Sequence, residues 1–307
     1  MISENPRVLA IFPGALGDLI CLGPALRALA RRHRSGALEL MAREELACFA
    51  VGRMGIAHGH SIDRREVAAL FADGGEAAQG AGFFAGFTRV YSFFAAGDAQ
   101  FRRSLERAAY PGGVSFYRFR PERPGHVASA YLHEIGERIA AGAPLESRID
   151  LLDTDVEDAR IALAPFGLDG ANVMLLFPGS GSVRKNWPLA NFAALASALP
   201  AGMRPLAVLG PAESGMESAF AAWGIATLAG QSLGTIAGLA SIAAGFVGND
   251  SGMSHLAAAA GAPGVVIFGS TESGRWRPLG RVTVIHAAAL TSMSVDVVAT
   301  ALAGRVS

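Results

Sequence analysis

The feature that most constrains this chain is a repeated pattern: a short apolar run of β type, a glycine-bearing turn, then apolar residues at helical spacing. Residues 7–12 (RVLAIF) run into a turn at 13–17, and a helical pattern follows to about residue 34, with Leu22, Leu26 and Leu29 at i, i+4 and i+7. Continuous apolar strands separated by helices specify parallel α/β layers. Pro24 fits such a helix near its first turn or as a kink. Further strands are expected at 37–41 and 88–93, while 61–97 is glycine-rich and gives no clear period. Acidic 150–158 reads as a boundary or a helix start, and the pattern then restarts. Strands are expected at 172–177, 204–209, 225–228, 245–247 and 264–268, and helices at 191–199, 232–244, 256–260 and 295–302. The expected organisation is two successive α/β units with a junction near 150–170.

Composition narrows the function classes. A chain of 307 residues suits two domains. With 51% hydrophobic and 17% charged residues it has ample apolar surface to fold. Basic and acidic residues number 26 each, so no global positive field draws in nucleic acid. The basic side comprises 25 arginines and one lysine, Lys185, and the two residue types are not equivalent at a site. Cys21 and Cys48 are too few for a disulfide framework. The first residues lack a basic segment followed by an apolar core. The longest uncharged stretch, 218–249, carries Thr227, Gln231, Ser232, Thr235 and Ser241, and reads as buried α/β elements rather than a spanning helix. A cytoplasmic protein is expected, with peripheral contact at the inner face of the membrane left open.

In open α/β sheets, ligands sit at the carboxyl ends of the strands. Four strand-to-helix turns there have suitable residues. The first, Pro13-Gly14-Ala15-Leu16-Gly17-Asp18, places an acid at a helix N-terminus, where it is either a first-turn charge or a general base. Its glycines match a dinucleotide fingerprint poorly, although Glu39 lies about 20 residues on, as that fingerprint wants. The second, at 177–187 (FPGSGSVRKNW), offers Gly179, Ser180, Gly181 and Ser182 as phosphate-cradling donors beside Arg184 and Lys185, without a P-loop pattern. The third is Gly210-Pro211-Ala212-Glu213, whose carboxylate could accept from ribose hydroxyls. In the fourth, at 246–256 (FVGNDSGMSHL), Asn249 or Asp250 is the expected cap, Ser251-Gly252 open a helix with free N–H groups, and His255 follows one turn in. Elsewhere, Arg102, Arg103, Arg107, Arg118, Arg120 and Arg123 face only Glu106 and Glu122 between residues 99 and 125. They form either a solvated face or a patch for an anionic acceptor. His58 and His60 lack an obvious third ligand and read as a surface loop.

At these turns the chain resembles glycosyltransferase family 9, the ADP-heptose:lipopolysaccharide heptosyltransferase group. The matching residues are Gly17-Asp18; Pro178-Gly179 with Lys185-Asn186-Trp187-Pro188; Gly210 with Glu213; Leu228-Ala229-Gly230 with Ser232-Leu233; and Gly248 to Ala257 followed by Gly261-Ala262-Pro263 and Phe268-Gly269-Ser270-Thr271-Glu272. The resemblance implies a GT-B fold, two Rossmann-like domains facing across a cleft. Residues 1–155 would take the acceptor and 156–307 the sugar nucleotide, with the last helix returning to the first domain. It implies an inverting transfer of a sugar, heptose from ADP-heptose, to a hydroxyl of a glycan or lipopolysaccharide-type acceptor. Asp18 corresponds to the general base and Lys185 to the lysine at the donor diphosphate. Ser180, Gly181 and Ser182 lie in the same loop, Glu213 corresponds to a ribose contact, and Gln231 lies at the adenine edge. Asp250, Ser251, Gly252 and His255 correspond to the diphosphate-and-sugar cluster. Arg102, Arg103, Arg118 and Arg120 are the candidates for acceptor phosphates. None of the four turns carries an Asp-x-Asp; the one at Asp153-Thr154-Asp155 lies in the acidic boundary stretch, so neither a divalent metal nor another cofactor is expected, and nucleic acid or an obligate protein partner is not expected either. The competing readings are an NAD(P)-dependent oxidoreductase or epimerase using the first turn, and a non-catalytic nucleotide-sugar-binding module.

Overall fold

The computed structural model describes residues 6–33, 38–72, 82–139 and 144–306. The chain divides into two compact units, Met1–Leu145 and Glu146–Ser307.

The first unit is built on a five-stranded sheet of β1 (Val8–Ile11), β2 (Leu38–Ala42), β3 (His58–Ser61), β4 (Arg89–Ser92) and β5 (Gly113–Phe116), in the order β3-β2-β1-β4-β5. Every pairing is parallel. β1 and β2 are buried along their whole length, which is why they read as unbroken apolar runs. The helix Leu16–His33 follows β1 and buries Leu19, Ile20, Leu22, Leu26 and Leu29. It keeps Pro24 in its interior and ends in Arg31, Arg32 and His33, cations suited to a helix C-terminus. One face of the sheet packs Leu9, Ile11, Met41, Phe84, Phe87, Phe101 and Leu105 into a core.

The second unit holds six parallel strands: β6 (Val173–Phe177), β7 (Arg204–Leu209), β8 (Ala226–Ala229), β9 (Gly245–Asn249), β10 (Gly264–Phe268) and β11 (Val282–His286), in the order β11-β10-β9-β6-β7-β8. Met174, Leu176, Trp187, Phe192, Val247, Val265 and Ile267 form its core, joined by Val298 and Leu302 of the last helix, Val295–Val306. Helix Leu233–Ile242 lies against helix Asp153–Leu163 with Gly238 at the contact, where a Cβ would run into the Asp155 carbonyl.

Both sheets reverse direction once. The chain runs β1-β2-β3 outward and returns to β4 beside β1; it runs β6-β7-β8 outward and returns to β9 beside β6. The carboxyl ends of β1 and β4, and of β6 and β9, are therefore the switch points where such sheets bind ligands.

Several expectations are corrected. His58 and His60 lie in β3, not a surface loop: His60 pairs in register with Met41, and its ring reaches Glu39. Strand β5 lies inside the arginine-rich segment, and β11 was not anticipated. The three are outer strands of their sheets, and HGHS and GVSF lack the unbroken apolar run of a buried strand. The cap of helix Gly252–Ala259 is Ser251, whose side chain accepts from the Ser254 amide, and not Asn249 or Asp250. The expected strand start at residue 37 and helix end at residue 34 lie outside the described residues. No helix among the described residues is long and apolar enough to cross a membrane.

Candidate functional site

At the first switch point, Asp18 is the third residue of the helix that leaves β1. Gly14 permits the turn before it, since a Cβ there would meet both the Phe12 ring and the Asp18 Cβ. Asp18 Oδ2 accepts from the Ala15 amide at 3.3 Å and from Arg120 Nη2 at 3.2 Å. Among the described residues nothing donates to Oδ1. The Asp18 side chain is 9% exposed and that of Arg120 57%, so the carboxylate is held near the surface beneath a solvated cation. Arg120 arrives there because its segment is anchored. The Phe119 ring packs edge-on against Phe12 at 5.5 Å, and the Tyr131 hydroxyl donates to the Phe119 carbonyl at 2.5 Å.

The other arginines expected from the sequence as acceptor candidates are occupied differently. Arg118 pairs with Glu122 at 3.3 Å, Arg102 lies over the Phe116 ring at 4.7 Å, and Arg103 donates to Gln100 at 3.1 Å. Of the four, the structure brings Arg120 alone onto Asp18.

Glu39, which the dinucleotide reading needs, sits at the amino end of β2, opposite the ligand edge. It is 1% exposed and bonded to Arg7 and His60. A ribose-binding acid has to lie at the carboxyl end of its strand, so this position removes the sequence support for an oxidoreductase.

At the second switch point the loop leaving β6 meets the turn leaving β9. Lys185, in a short 3₁₀ turn at Val183–Lys185, donates from Nζ to Asp250 Oδ2 at 2.8 Å. The Lys185 side chain is 38% exposed and that of Asp250 9%, so a partly exposed lysine is paired with a mostly buried counter-ion. Ser180 Oγ lies within hydrogen-bond distance of Asn186 Oδ1 and of the Ser182 carbonyl, which share its one proton, while Gly181 and Ser182 are exposed. Gly181 has a positive φ of 70°, which glycine adopts without strain. Ser251 and Gly252 open the helix Gly252–Ala259, with His255 buried one turn in. Glu213 closes its own turn by accepting from the Gly210 amide at 3.0 Å, and its carboxylate lies so close to Gly179 that a Cβ there would overlap it. Gln231, after β8, donates to the Ala229 carbonyl at 3.2 Å. The arrangement joins the Lys185 cation, the N-terminus of helix Gly252–Ala259 and several hydroxyls, a donor set for a diphosphate.

Read from the sequence, Asn249 is a candidate cap within the stretch Gly248 to Ala257 that matches the family, with no contact to the loop after β6 expected of it. It is fully buried and bonds the loop leaving β6 at two points, to Trp187 and to Pro178. The signal available was an amide-bearing residue between a buried strand and the Asp250 turn. Among the described residues no cluster of three or more His, Cys, Asp or Glu could hold a metal ion.

Comparison with known proteins agrees with this architecture. The profile of glycosyltransferase family 9 (heptosyltransferase) matches residues 99–302. Among solved structures, the family 9 glycosyl transferase from Veillonella parvula DSM 2008 is similar at a TM-score of 0.77 and 17% identity, covering 98% of this chain and 97% of that one. The E. coli ADP-heptose LPS heptosyltransferase II gives 0.73 and 19%, covering 98% of each chain. The E. coli heptosyltransferase WaaC with ADP gives 0.70 and 18%, covering 96% and 98%. A more distant likeness, at 0.52 and 16% with 92% and 63% covered, is to the iron-containing dodecameric glycosyltransferase TibC of enterotoxigenic E. coli. A search among curated proteins finds no match. The two parallel α/β units are those of a GT-B glycosyltransferase that uses a nucleotide-sugar donor, and the chain belongs to glycosyltransferase family 9.

Proposed function

We propose that this glycosyltransferase moves heptose from ADP-heptose to a hydroxyl of a lipopolysaccharide-type glycan, with inversion at the anomeric carbon. The observation that carries the donor half is the Lys185–Asp250 pair at the β6/β9 switch point, beside the N-terminus of helix Gly252–Ala259. A departing diphosphate gains charge, so a cation and a helix N-terminus fixed there stabilise the transition state more than the ground state. That chemistry calls for no divalent metal. Ser180, Gly181 and Ser182 supply further donors to the phosphates, Glu213 and Gln231 serve the nucleoside, and Ser251 and His255 serve the sugar side. ADP and heptose are favoured because the similar E. coli proteins are an ADP-heptose LPS heptosyltransferase and a heptosyltransferase with ADP.

The acceptor is assigned to the first unit, Met1–Leu145, and the donor to the second, Glu146–Ser307; the boundary expected at 155/156 falls inside helix Asp153–Leu163 and moves to Leu145. Asp18 Oδ1 takes the proton of the attacking hydroxyl, while Arg120 and the Ala15 amide hold Oδ2. Arg102, Arg103, Arg118 and Arg120 offer guanidinium forks to an anionic acceptor. The test is Asp18→Asn, which keeps the size of the side chain and removes the base. Transfer from ADP-heptose should fall by about 10²–10⁴-fold while ADP affinity stays within about twofold. Unchanged transfer by Asp18→Asn would remove Asp18 from the mechanism. Wild-type protein that binds no ADP would remove the donor assignment.

A further inference from the structure

Asn249 is the last residue of β9 and is 0% exposed. A buried primary amide has to be satisfied, and here both ends of it serve one loop. Its Oδ1 accepts from the Trp187 amide at 2.9 Å and its Nδ2 donates to the Pro178 carbonyl at 2.7 Å. Pro178 and Trp187 are the two ends of the segment that leaves β6 and carries Ser180 and Lys185. One side chain therefore closes that segment at its base. The clamp is itself held: the Asn249 carbonyl accepts from Ser254 Oγ at 2.7 Å, and the next amide, Asp250 N–H, donates to the Ile267 carbonyl at 3.0 Å. Trp187 is buried beneath, its indole N–H donating to the Met293 carbonyl at 3.0 Å. Asp250, the neighbour of the clamp, takes the ammonium of Lys185. Residues 249 and 250 thus fix the base of the loop and the position of its cation together.

We propose that Asn249 is a positioning residue that sets where Lys185 Nζ lies and, through it, the affinity for the donor diphosphate; this rests on the reading of Lys185 as the diphosphate cation. Asn249→Ser is too short to span both partners. Asn249→Asp keeps the shape and the acceptor for Trp187 but turns an oxygen against the Pro178 carbonyl.

The test is a double-mutant cycle read by calorimetric titration of ADP into the full chain. Asn249→Ser should weaken ADP binding roughly tenfold when Lys185 is present, the scale of one or two lost hydrogen bonds. In a Lys185→Met background the same change should weaken it by less than about twofold, because the group through which Asn249 acts is gone. Equal losses in the two backgrounds overturn the proposal, as does unchanged affinity in Asn249→Ser. Wild type that binds no ADP, or Lys185→Met that binds at wild-type strength, overturns the underlying donor assignment, and the proposal falls with it. If Asn249→Ser does not fold, Asn249→Asp carries the same cycle. Lys185 is the only lysine in the sequence, so reductive ¹³C-methylation gives a single side-chain signal. That signal should shift on adding ADP in the wild type and lose most of that shift in the Asn249 variant. A wild-type response in the variant sinks the clamp.

Discussion

Glu39 shows how one residue's chemistry is set by neighbours distant in sequence. Its carboxylate takes both Arg7 forks, Nε at 2.7 Å and Nη2 at 2.9 Å, and His60 Nε2 at 2.6 Å. Burial pushes this carboxyl up, but the hydrogen bonds and charges of Arg7 and His60 together outweigh it and hold the group below its usual range. A carboxyl lowered in the folded state contributes stability that is complete above its unfolded value, near 4.3, and lost as pH falls through the folded one. Denaturant midpoints should therefore be flat near neutrality in this respect and fall below about pH 4.5. Glu39→Gln should remove about 1–3 kcal/mol at pH 7, moderated by the 42% exposure of the Arg7 side chain, and flatten that acid limb. An acid limb identical in both proteins would exclude Glu39 as the titrating group. His33 adds a second step. Burial, then the charges of Arg32 and Arg89, lower it, and its Nε2 lies 2.7 Å from the Tyr91 hydroxyl. Its contribution is complete above the ordinary histidine value and is lost as pH falls below about 6.5. A ring titration followed by NMR should have its midpoint below 6.5, and a midpoint above it would contradict the burial. The spacing that marks a ribose-binding acid does point to Glu39 in the sequence. Only the fold shows which end of β2 it occupies, because Arg7 and His60 are remote in the chain and nothing local announces the triad.

Between elements, the close approach of two strand-end loops is the constraint to test. Glu213, in the turn after β7, rests on Gly179, in the loop after β6, while accepting from Gly210. Gly179→Ala puts a methyl group into the Glu213 carboxylate and forces one of the two loops to move. Stability should fall by about 1–3 kcal/mol, the usual penalty of overpacking, and the KM for the nucleotide sugar should rise with it. Removing the obstructing carboxylate should recover part of this: Gly179→Ala with Glu213→Ala should be less destabilised than the sum of the single changes. Strict additivity in urea titrations would mean that the two loops do not press on each other. The glycines and serines of these loops are visible as composition, and so are the apolar strands β1, β2, β6, β7 and β10. Which loops meet is not visible, because that depends on the order β11-β10-β9-β6-β7-β8. The outer strands β3, β5 and β11 escape for a related reason. An outer strand is half-covered and needs no unbroken apolar run, and β3 is held partly by a histidine-to-glutamate bond that no periodicity encodes.

At the scale of the whole molecule, zero net charge and a doubled α/β pattern leave function to the local placement of side chains at two switch points. Each unit has its own sheet, its own core and its own switch point, so each is expected to unfold as a block of its own. The proposed donor residues Ser180, Lys185, Glu213, Gln231, Asp250, Ser251 and His255 all belong to Glu146–Ser307, whereas Asp18 and Arg120 belong to Met1–Leu145. Ligand stabilisation acts only on the block that binds, by RT ln(1 + [L]/Kd), about 2.7 kcal/mol at a hundredfold excess over Kd. Differential scanning calorimetry of the full chain should therefore resolve two transitions, of which ADP raises one. Lys185→Met should shrink that rise at a given ADP concentration, and Asp18→Asn should leave it intact because its carboxylate belongs to the other block. A single transition that ADP moves as a whole would show that the blocks unfold together. A rise that Asp18→Asn removes would place the nucleotide on the first unit and overturn the division of labour proposed for the two sheets.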